Sequence, residues 1–152
     1  MKTNNPSGTP LAILLVEDNQ SHSQLIMRSF EDNRVANTIH LVTDGEAALQ
    51  YIFRQGPYAD PQRSPRPHVI LLDLRLPKID GLEVLRRIKS TPEFNMIPII
   101  ILTTSEAESD VAAAYRNHAN SYLVKPVDFP KFTKLMRDLG FYWLGWNINP
   151  WS

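Results

Sequence analysis

Three short runs of almost uninterrupted apolar residues constrain the fold of this chain most strongly. They are the segments 11–16 (LAILLV), 69–73 (VILLD) and 96–103 (MIPIIILT). Runs of this length that are rich in Ile, Val and Leu are typical of strands covered on both faces, as in a parallel sheet. The three segments therefore predict the centre of a parallel sheet with helices packed on both sides.

Two weaker strand candidates, 37–42 (NTIHLV) and 121–125 (SYLVK), complete the pattern. Between the five strands the apolar residues recur at helical spacing, and a further segment of this kind follows the fifth strand. Repeats of strand and helix need right-handed crossovers, which place helices on both faces of the sheet. We predict an α/β fold with a doubly wound five-stranded parallel sheet and five helices.

Chain length and one proline-rich segment define the domain organisation. A chain of 152 residues is long enough for one domain with one core. Segment 55–68 is interpreted as a stiff surface loop after the second helix, because the residues before it could form only a marginal fold. We predict a disordered tail over 1–10, one domain over 11–144 and an aromatic extension over 145–152.

Composition excludes several classes of protein. Lys plus Arg and Asp plus Glu each total 16, so no net field draws the chain to nucleic acid or to an anionic membrane. Without cysteine there is neither a disulfide framework nor a thiolate zinc site. The first residues lack the apolar segment of a signal peptide, and no run approaches the ~18 apolar residues of a membrane span. We predict a cytoplasmic protein that binds neither nucleic acid nor membrane.

Carboxylates follow two of the predicted strands. Glu17 and Asp18 come directly after the first strand, and Asp73 ends the third. The carboxyl ends of parallel strands meet at one edge of the sheet, where such folds bind ligands. Like charges so close together need a cation or protons to neutralise them, and Mg²⁺ prefers carboxylate and water oxygens. The sequence therefore predicts a Mg²⁺ site.

The last two strands bring other polar groups to the same edge. The fourth strand ends in the hydroxyl-bearing Thr103, and the fifth ends in Lys125. A metal, a carboxylate, a hydroxyl and an ammonium suit phosphoryl transfer, whose transition state needs charge neutralisation and positioning. Asp73 would be the nucleophile and would form an aspartyl phosphate.

The order of these residues along the chain resembles the receiver domain of two-component response regulators. The resemblance covers about residues 11–139 and implies a flavodoxin-like, receiver-type fold. The motifs that carry it are Glu17-Asp18, Asp73 followed by Pro77 and Gly81, Thr103, Tyr122, and Lys125-Pro126.

The resemblance implies a role for each residue around the metal. Asp73 would be the phosphoacceptor, and Glu17 and Asp18 would be the acid pair around Mg²⁺. Glu17 stands where the family has Asp, and its longer carboxylate can still reach the metal. The backbone carbonyl of Arg75 would also face the metal.

The resemblance also implies a phosphoryl-binding and switching set. Lys125 would pair with the phosphoryl oxygens, and its peptide bond to Pro126 is expected to be cis. Thr103 would turn its hydroxyl to the phosphoryl group, and Tyr122 would rotate inward into the space vacated. The change would be read on the face formed by the fourth helix, the fifth strand and the fifth helix.

Within the family, the chain is similar to small single-domain regulators paired with phytochrome-type histidine kinases. The segment TTSEAESDVAAAYRNHANSYLVKPVDF and the tail LGFYWL carry this similarity. Arg75 and Ser105, each two residues past a key position, resemble the sites that tune phosphoryl lifetime. Thr104 stands where the family most often has a smaller residue, which could crowd the phosphoryl pocket.

Our prediction is a stand-alone phosphoacceptor switch in a two-component phosphorelay rather than an enzyme. A sensor histidine kinase would donate the phosphoryl group. Because no output domain is expected, the signal would leave by protein contact or pass onward in a relay. One alternative is a receiver-like scaffold that is never phosphorylated. A phosphatase resembling the haloacid dehalogenase group is disfavoured, because Arg75 stands where its second aspartate belongs. A nucleotide-binding enzyme is disfavoured because no glycine-rich loop follows the first strand.

Several of these residues also have a plainer interpretation. Asp73 could cap a helix, although capping needs no acid pair and no lysine at neighbouring strand ends. Glu17 and Asp18 could simply begin the first helix, and both roles are compatible. Tyr122 alternates with Leu123, so a half-buried sheet residue is as consistent with the sequence as a moving switch.

The histidines and the aromatic tail contribute separate predictions. The histidines at 22, 40, 68 and 118 lack metal-ligand spacing, and we expect surface or capping roles for them, with no catalytic part for His22. The tail either extends the last helix through Trp143 or forms an apolar patch for an isologous homodimer. The candidate dimer residues are Phe141, Tyr142, Trp143, Trp146 and Trp151.

Overall fold

The sheet has five parallel strands. The computed structural model describes residues 11–31, 37–126 and 128–141. The strands lie in the order β2-β1-β3-β4-β5, and every pair of neighbours is parallel. Their bounds are Leu11–Val16 (β1), Asn37–Val42 (β2), Val69–Leu72 (β3), Ile99–Thr103 (β4) and Ser121–Val124 (β5).

A helix follows each strand, so the predicted fold class is confirmed. The helices are Gln20–Glu31 (α1), Gly45–Phe53 (α2), Gly81–Lys89 (α3), Glu108–Arg116 (α4) and Phe129–Phe141 (α5). Their apolar residues form two core clusters, one on each face of the sheet. Residues of α2, α3 and α4 belong to one cluster, and residues of α1 and α5 belong to the other.

Alternate residues of the central strands point to opposite clusters. In β1, Leu14 and Val16 join the cluster of α2, α3 and α4, whereas Ile13 and Leu15 join that of α1 and α5. Every residue of β1, β3 and β4 is buried. Because both faces of these strands are covered, their sequences are continuously apolar rather than alternating.

The two outer strands are less covered. All four residues of β5 are half-buried, and β2 has only Val42 buried. Each outer strand has only one neighbouring strand, so it has one open edge. This difference explains why segments 37–42 and 121–125 gave weaker strand signals than the central runs.

The fourth strand begins later than predicted, at Ile99 rather than at residue 96. Met96 is 66% exposed, and Pro98 has no N–H to donate to a strand ladder. The carbonyl of Pro98 still accepts a hydrogen bond from Ile70 N at 2.9 Å. The first residues of this apolar segment, 96–98, therefore form a turn that leads into the strand.

The proline-rich segment 55–68 connects α2 to the start of β3, so it lies away from the carboxyl ends of the strands, as predicted. It begins with a short 3₁₀ helix, Gly56–Tyr58. The Tyr51 hydroxyl donates to the Pro65 carbonyl at 2.9 Å, and Ser64 Oγ donates to the Tyr58 carbonyl at 2.7 Å. These bonds fix the loop against α2.

Two predicted segments lie outside the described residues, namely the tail 1–10 and the extension 145–152. Helix α5 ends at Phe141, and the proposed continuation through Trp143 also lies outside them. In the part of the chain that the structure describes, no helix has the length and apolar character needed to cross a membrane.

Candidate functional site

The carboxylates of Glu17, Asp18 and Asp73 lie at the carboxyl ends of the two central strands. Glu17 N donates to the Val42 carbonyl, and Asp73 N donates to the Val16 carbonyl, both at 3.1 Å. These bonds continue the strand ladders one residue past β1 and β3. The backbone beneath the carboxylates is therefore fixed by the sheet, at the point where the strand order reverses.

The three acidic side chains form a compact group of hard oxygen donors. One carboxylate oxygen from each residue lies within 4.8 Å of the other two. Glu17 and Asp73 are buried, whereas Asp18 is exposed. Mg²⁺ is bound through a few carboxylates and keeps several waters, which needs a site open on one side. The donor set and its one exposed member fit such an ion.

Lys125 brings a buried positive charge to the same group. Its side chain is 1% exposed, and its Nζ contacts Glu17 Oε1 in a short ion pair. The same Nζ donates to Asp73 Oδ2 at 3.1 Å and lies 3.1 Å from His22 Nδ1. Lys125 N donates to the Thr103 carbonyl at 2.7 Å, which fixes the backbone next to β4. The ammonium therefore links the ends of β1, β3 and β5.

Burial and charge act in opposite directions on Glu17. Burial raises the pKa of Glu17, the hydrogen bond and charge of Lys125 lower it, and the Asp73 charge raises it. The net effect is a raised pKa, because loss of water around the carboxylate outweighs the pairing with Lys125. A cation bound beside Glu17 would act in the same direction as Lys125 and favour the ionised carboxylate.

Thr103 and Tyr122 lie on the β4 side of the site. Thr103 is fully buried, and its Oγ1 accepts a long hydrogen bond of 3.5 Å from Ser105 N. The Tyr122 hydroxyl donates to the Ser105 carbonyl at 2.9 Å. Tyr122 is half-buried and Thr104 is exposed. Tyr122 of β5 therefore holds the loop after β4 through this hydrogen bond. Inward rotation of Tyr122 stays a prediction.

Arg75 and Asp110 form a bridge that the sequence analysis missed. Arg75 N donates to Asp73 Oδ1 at 3.3 Å, while its guanidinium pairs with the Asp110 carboxylate on α4. Ser105 Oγ also donates to Asp110 Oδ2, at 2.6 Å. No local pattern indicated this bridge, because Ser105 lies five residues before Asp110 and Arg75 lies 35 residues before it. Two residues singled out as neighbours of key positions therefore meet on one carboxylate.

Gly81 allows the loop after Asp73 to close against β3. Gly81 N donates to the Leu74 carbonyl at 2.9 Å. A Cβ at this position would lie 2.3 Å from the Asp73 carbonyl oxygen, which no real side chain allows. The glycine is therefore required by a close backbone approach rather than by an unusual φ angle.

One prediction about the backbone of the site is wrong. The peptide bond between Lys125 and Pro126 is trans, because the described residues contain no cis peptide bond. An X–Pro bond favours trans by about 0.5–1 kcal/mol unless its surroundings impose the other isomer. The resemblance alone was not sufficient to assign the isomer.

The four histidines have different surroundings, and none belongs to the acidic group. His68 Nδ1 accepts a hydrogen bond from Ala12 N at 3.0 Å, and the ring of His40 packs at 5.7 Å from that of Tyr51. His118 is exposed in a left-handed turn. His22 contacts Lys125, so it lies beside the acidic group without belonging to it.

Of the candidate dimer residues, Phe141 alone lies among the described residues. Phe141 is the last residue of α5. Tyr142, Trp143, Trp146 and Trp151 lie outside the described residues.

Known proteins match nearly the whole chain. The probable methanogenesis regulatory protein FilR2 of Methanothrix harundinacea is 46% identical over 93% of this chain and 88% of its own length. Response regulator Rcp1 of a Synechocystis strain is 41% identical over 91% of this chain and 92% of its own length.

Two crystal structures have a similar fold. The Mn²⁺-bound form of Rcp1 has a TM-score of 0.88 at 40% identity, covering 93% of this chain and 99% of that one. The phosphorylated cyanobacterial phytochrome response regulator RcpA has a TM-score of 0.88 at 36% identity, with the same coverage. The family model described as "Response regulator receiver domain" matches residues 13–137. With this match, the acidic group and the sheet order, the chain belongs to the response regulator receiver domain family.

Proposed function

We propose that Asp73 accepts a phosphoryl group from the phosphohistidine of a sensor histidine kinase, in a Mg²⁺-dependent reaction. The observation that carries this proposal is the buried Lys125 ammonium, which contacts both Glu17 and Asp73 beside a group of three carboxylates. A nucleophilic carboxylate needs its charge reduced to meet an anionic phosphoryl group. The lysine and a cation on the acidic group would supply that reduction.

In the proposed transfer, one carboxylate oxygen of Asp73 attacks phosphorus. The P–N bond of the phosphohistidine breaks, and its electron pair leaves with the imidazole. Lys125 then moves a hydrogen bond from Asp73 Oδ2 to a phosphoryl oxygen, and Thr103 offers its hydroxyl to another. Bound Mg²⁺, held by Glu17, Asp18, Asp73 and the Arg75 carbonyl, would neutralise charge on the phosphoryl oxygens. The chain thus assists its own phosphorylation without being an enzyme for another substrate.

The proposed readout is the face formed by α4, β5 and α5. Tyr115 on α4 and Phe129 at the start of α5 are large apolar residues that are 50% and 66% exposed. Tyr122 in β5 is bonded to the Ser105 carbonyl of the loop after β4. A phosphoryl group that recruits Thr103 would disturb this loop, because Ser105 N bonds to Thr103 Oγ1. The disturbance would change the affinity of the face for a partner.

The relatives suggest the kind of kinase. RcpA is described as a phytochrome response regulator, and a bacteriophytochrome response regulator, RtBRR, is 40% identical with a TM-score of 0.72. We therefore propose a phytochrome-type sensor histidine kinase as the donor. A cytoplasmic location and a homodimer belong to the same proposal.

The test is the intact mass of the chain after incubation with Mg²⁺ and acetyl phosphate. We expect a gain of one phosphoryl group that is abolished by Asp73→Asn and by chelation of the metal. Asp80→Asn is the matched control, because Asp80 is exposed before α3 and its side chain makes no capping bond. The Asp80 variant should be phosphorylated like the native chain. Phosphorylation of the Asp73 variant at an unchanged rate would contradict the proposal.

The scaffold alternative is tested by partner capture. A phosphorylation-dependent switch binds its partner differently with and without acetyl phosphate. No mass gain with acetyl phosphate or with a phosphorylated kinase, together with equal capture in both states, would favour the scaffold.

A further inference from the structure

His22 lies beside the site in a position fixed from two sides. It is in the first turn of α1, where its backbone N–H donates to Asn19 Oδ1 at 3.0 Å. Its ring packs against the Phe132 ring of α5, with centroids 5.5 Å apart and planes tilted by 47°. The ring edge that faces the site brings Nδ1 to 3.1 Å from Lys125 Nζ.

The protonation of His22 follows from the chemistry of its neighbour. A lysine ammonium has three donors and no acceptor, so a hydrogen bond to it requires a free lone pair on Nδ1. The imidazole must then be neutral and carry its proton on Nε2. A protonated ring would direct N–H toward the ammonium and place two cations 3.1 Å apart.

The charges around His22 are compatible with the neutral form. Burial lowers the pKa of His22, and the Lys125 charge lowers it further. The carboxylates of Asp73 and Asp18 act in the opposite direction and raise it. The α5 residue that packs on the ring is the uncharged Phe132. The net direction is downward, toward a ring that is neutral near pH 7.

We propose that His22 is a positioning residue for Lys125: its Nδ1 lone pair holds the third N–H of the ammonium and thereby aims the other two at Glu17 and Asp73. A lysine side chain is a flexible stem that carries a point charge. Three acceptors around Nζ pair all three N–H donors, whereas two leave one N–H to be drawn toward water or another acceptor. The kinetic consequence rests on the proposed function, because it concerns delivery of Lys125 to the phosphoryl group on Asp73.

A purely structural role for His22 makes a different prediction. In that case the ring would matter for its packing against Phe132, and the nitrogen lone pair would not. Two substitutions separate these roles. His22→Asn keeps an acceptor oxygen at the position of Nδ1 and removes the ring. His22→Phe keeps the ring and removes the acceptor.

The kinetic test measures the phosphorylation rate of the full chain with saturating Mg²⁺ and acetyl phosphate. We expect His22→Phe to be about tenfold slower, since a hydrogen bond to a charged group is lost, and His22→Asn to stay within about twofold of native. Native rates in the Phe variant, or an Asn variant as slow as the Phe variant, would overturn the proposal. Thermal unfolding of both variants verifies that each one folds.

A second measurement needs no phosphoryl transfer. In ¹⁵N NMR without phosphodonor, His22 of the native chain should show an unprotonated Nδ1 and a protonated Nε2 at pH 7. The Lys125 ammonium protons should exchange slowly in the native and Asn chains, and rapidly in the Phe chain. The opposite tautomer, or equal exchange in all three chains, would overturn the proposal. A native chain that gains no phosphoryl group but shows the expected tautomer and exchange rates would contradict the proposed function. It would still support the hydrogen bond between His22 and Lys125.

Discussion

Two lysines at opposite ends of the sheet each have three hydrogen-bond partners, and the partners differ in charge. Lys89 Nζ, at the end of α3, donates to the carbonyls of Asn95 at 3.0 Å and Ile97 at 2.8 Å, and to Asn120 Oδ1 at 3.0 Å. All three are neutral oxygens near the amino ends of β4 and β5. Lys125 instead contacts two carboxylates and an imidazole at the carboxyl ends.

The difference shows what each end of the sheet does. Neutral acceptors satisfy the hydrogen bonds of Lys89 but not its charge, so burial lowers the pKa of Lys89. Asn120 Oδ1 also accepts from Ile99 N at 2.9 Å, so this group ties α3 to the start of β4. Around Lys125 the anions exceed the cation, which leaves capacity for a metal. The contacts at the amino end join elements of the fold, whereas the acidic group at the carboxyl end is the site to which the proposed function assigns chemistry.

The largest effect is expected from Lys125→Met. The substitution removes the ammonium that would stabilise charge on the phosphoryl group, so we expect phosphorylation by acetyl phosphate to slow by about 100-fold, as for loss of one preorganised donor. Rates are measured by intact mass at saturating Mg²⁺. A variant that is phosphorylated at more than a tenth of the native rate would mean that Lys125 is a structural residue like Lys89.

Lys89→Met is the matched substitution at the other end of the sheet. It removes the Lys89 donor from the carbonyls of Asn95 and Ile97 and one of the two donors from Asn120 Oδ1, so we expect the free energy of unfolding to fall by about 1–3 kcal/mol. The phosphorylation rate should stay within about twofold of native. Urea unfolding gives the first quantity and intact mass the second. Loss of phosphorylation in a Lys89 variant that still folds would contradict the inference that the two ends of the sheet have separate roles.

His68, near the amino end of β1, tests whether a polar group at this end of the sheet must be uncharged to stabilise the fold. Its Nδ1 accepts a hydrogen bond from Ala12 N, and burial lowers the pKa of His68 below the ordinary value. A base with a depressed folded pKa contributes stability above its unfolded pKa of 6.5, and this stability is lost as pH falls through the folded pKa. Protonated Nδ1 cannot accept from Ala12.

The measurement for His68 is the free energy of unfolding between pH 7.5 and pH 5, both values chosen to be about one unit or more from 6.5. We expect the native chain to lose about 1 kcal/mol more than His68→Asn over this range, the worth of one hydrogen bond. Asparagine is the control because it keeps an uncharged acceptor. Parallel curves for the two chains would show that His68 does not titrate against folding.

The sequence was sufficient for the features that depend on single strands. Continuous apolar runs predicted β1 and β3, and the carboxylates directly after them gave Glu17, Asp18 and Asp73. These residues converge because parallel strands end at one edge, which is a property of topology. Thr103 and Lys125 followed from the same reasoning.

The remaining features depend on how helices and loops pack across the site. The pairing of Arg75 with Asp110 joins residues from different βα units, and the contact of His22 with Lys125 spans most of the chain. No local pattern encodes the direction in which a long side chain turns. The start of β4 was misplaced for a related reason, because the apolar segment 96–98 packs as a turn, and composition does not distinguish these two outcomes.

The smallest loss of unfolding free energy is expected from Asp110→Asn. This substitution tests whether the burial of Lys125, rather than its charge alone, makes its ion pairs stronger than other pairs at the site. Arg75 pairs with Asp110 at the same end of the sheet, but the Arg75 side chain is 60% exposed, whereas that of Asp110 is 13% exposed. Asparagine keeps an oxygen for the Ser105 hydroxyl and removes only the charge. Because water screens a pair whose cation is exposed, we expect it to contribute about 0–1 kcal/mol, as exposed pairs do, so the loss of unfolding free energy should lie below about 1 kcal/mol.

Salt dependence completes this test, because water and ions screen an exposed pair and scarcely reach a buried one. Raising ionic strength from about 0.1 M to about 1 M shortens the Debye length from about 10 Å to about 3 Å. The difference in unfolding free energy between the native and Asp110→Asn chains should therefore shrink toward zero at high salt. The corresponding difference between the native and Lys125→Met chains should persist. A salt-independent loss of unfolding free energy in the Asp110 variant would mean that ion pairs at this edge of the sheet are equally strong whether their cation is exposed or buried. The burial of Lys125, which Arg75 does not share, would then not explain the strength of the Lys125 pairs.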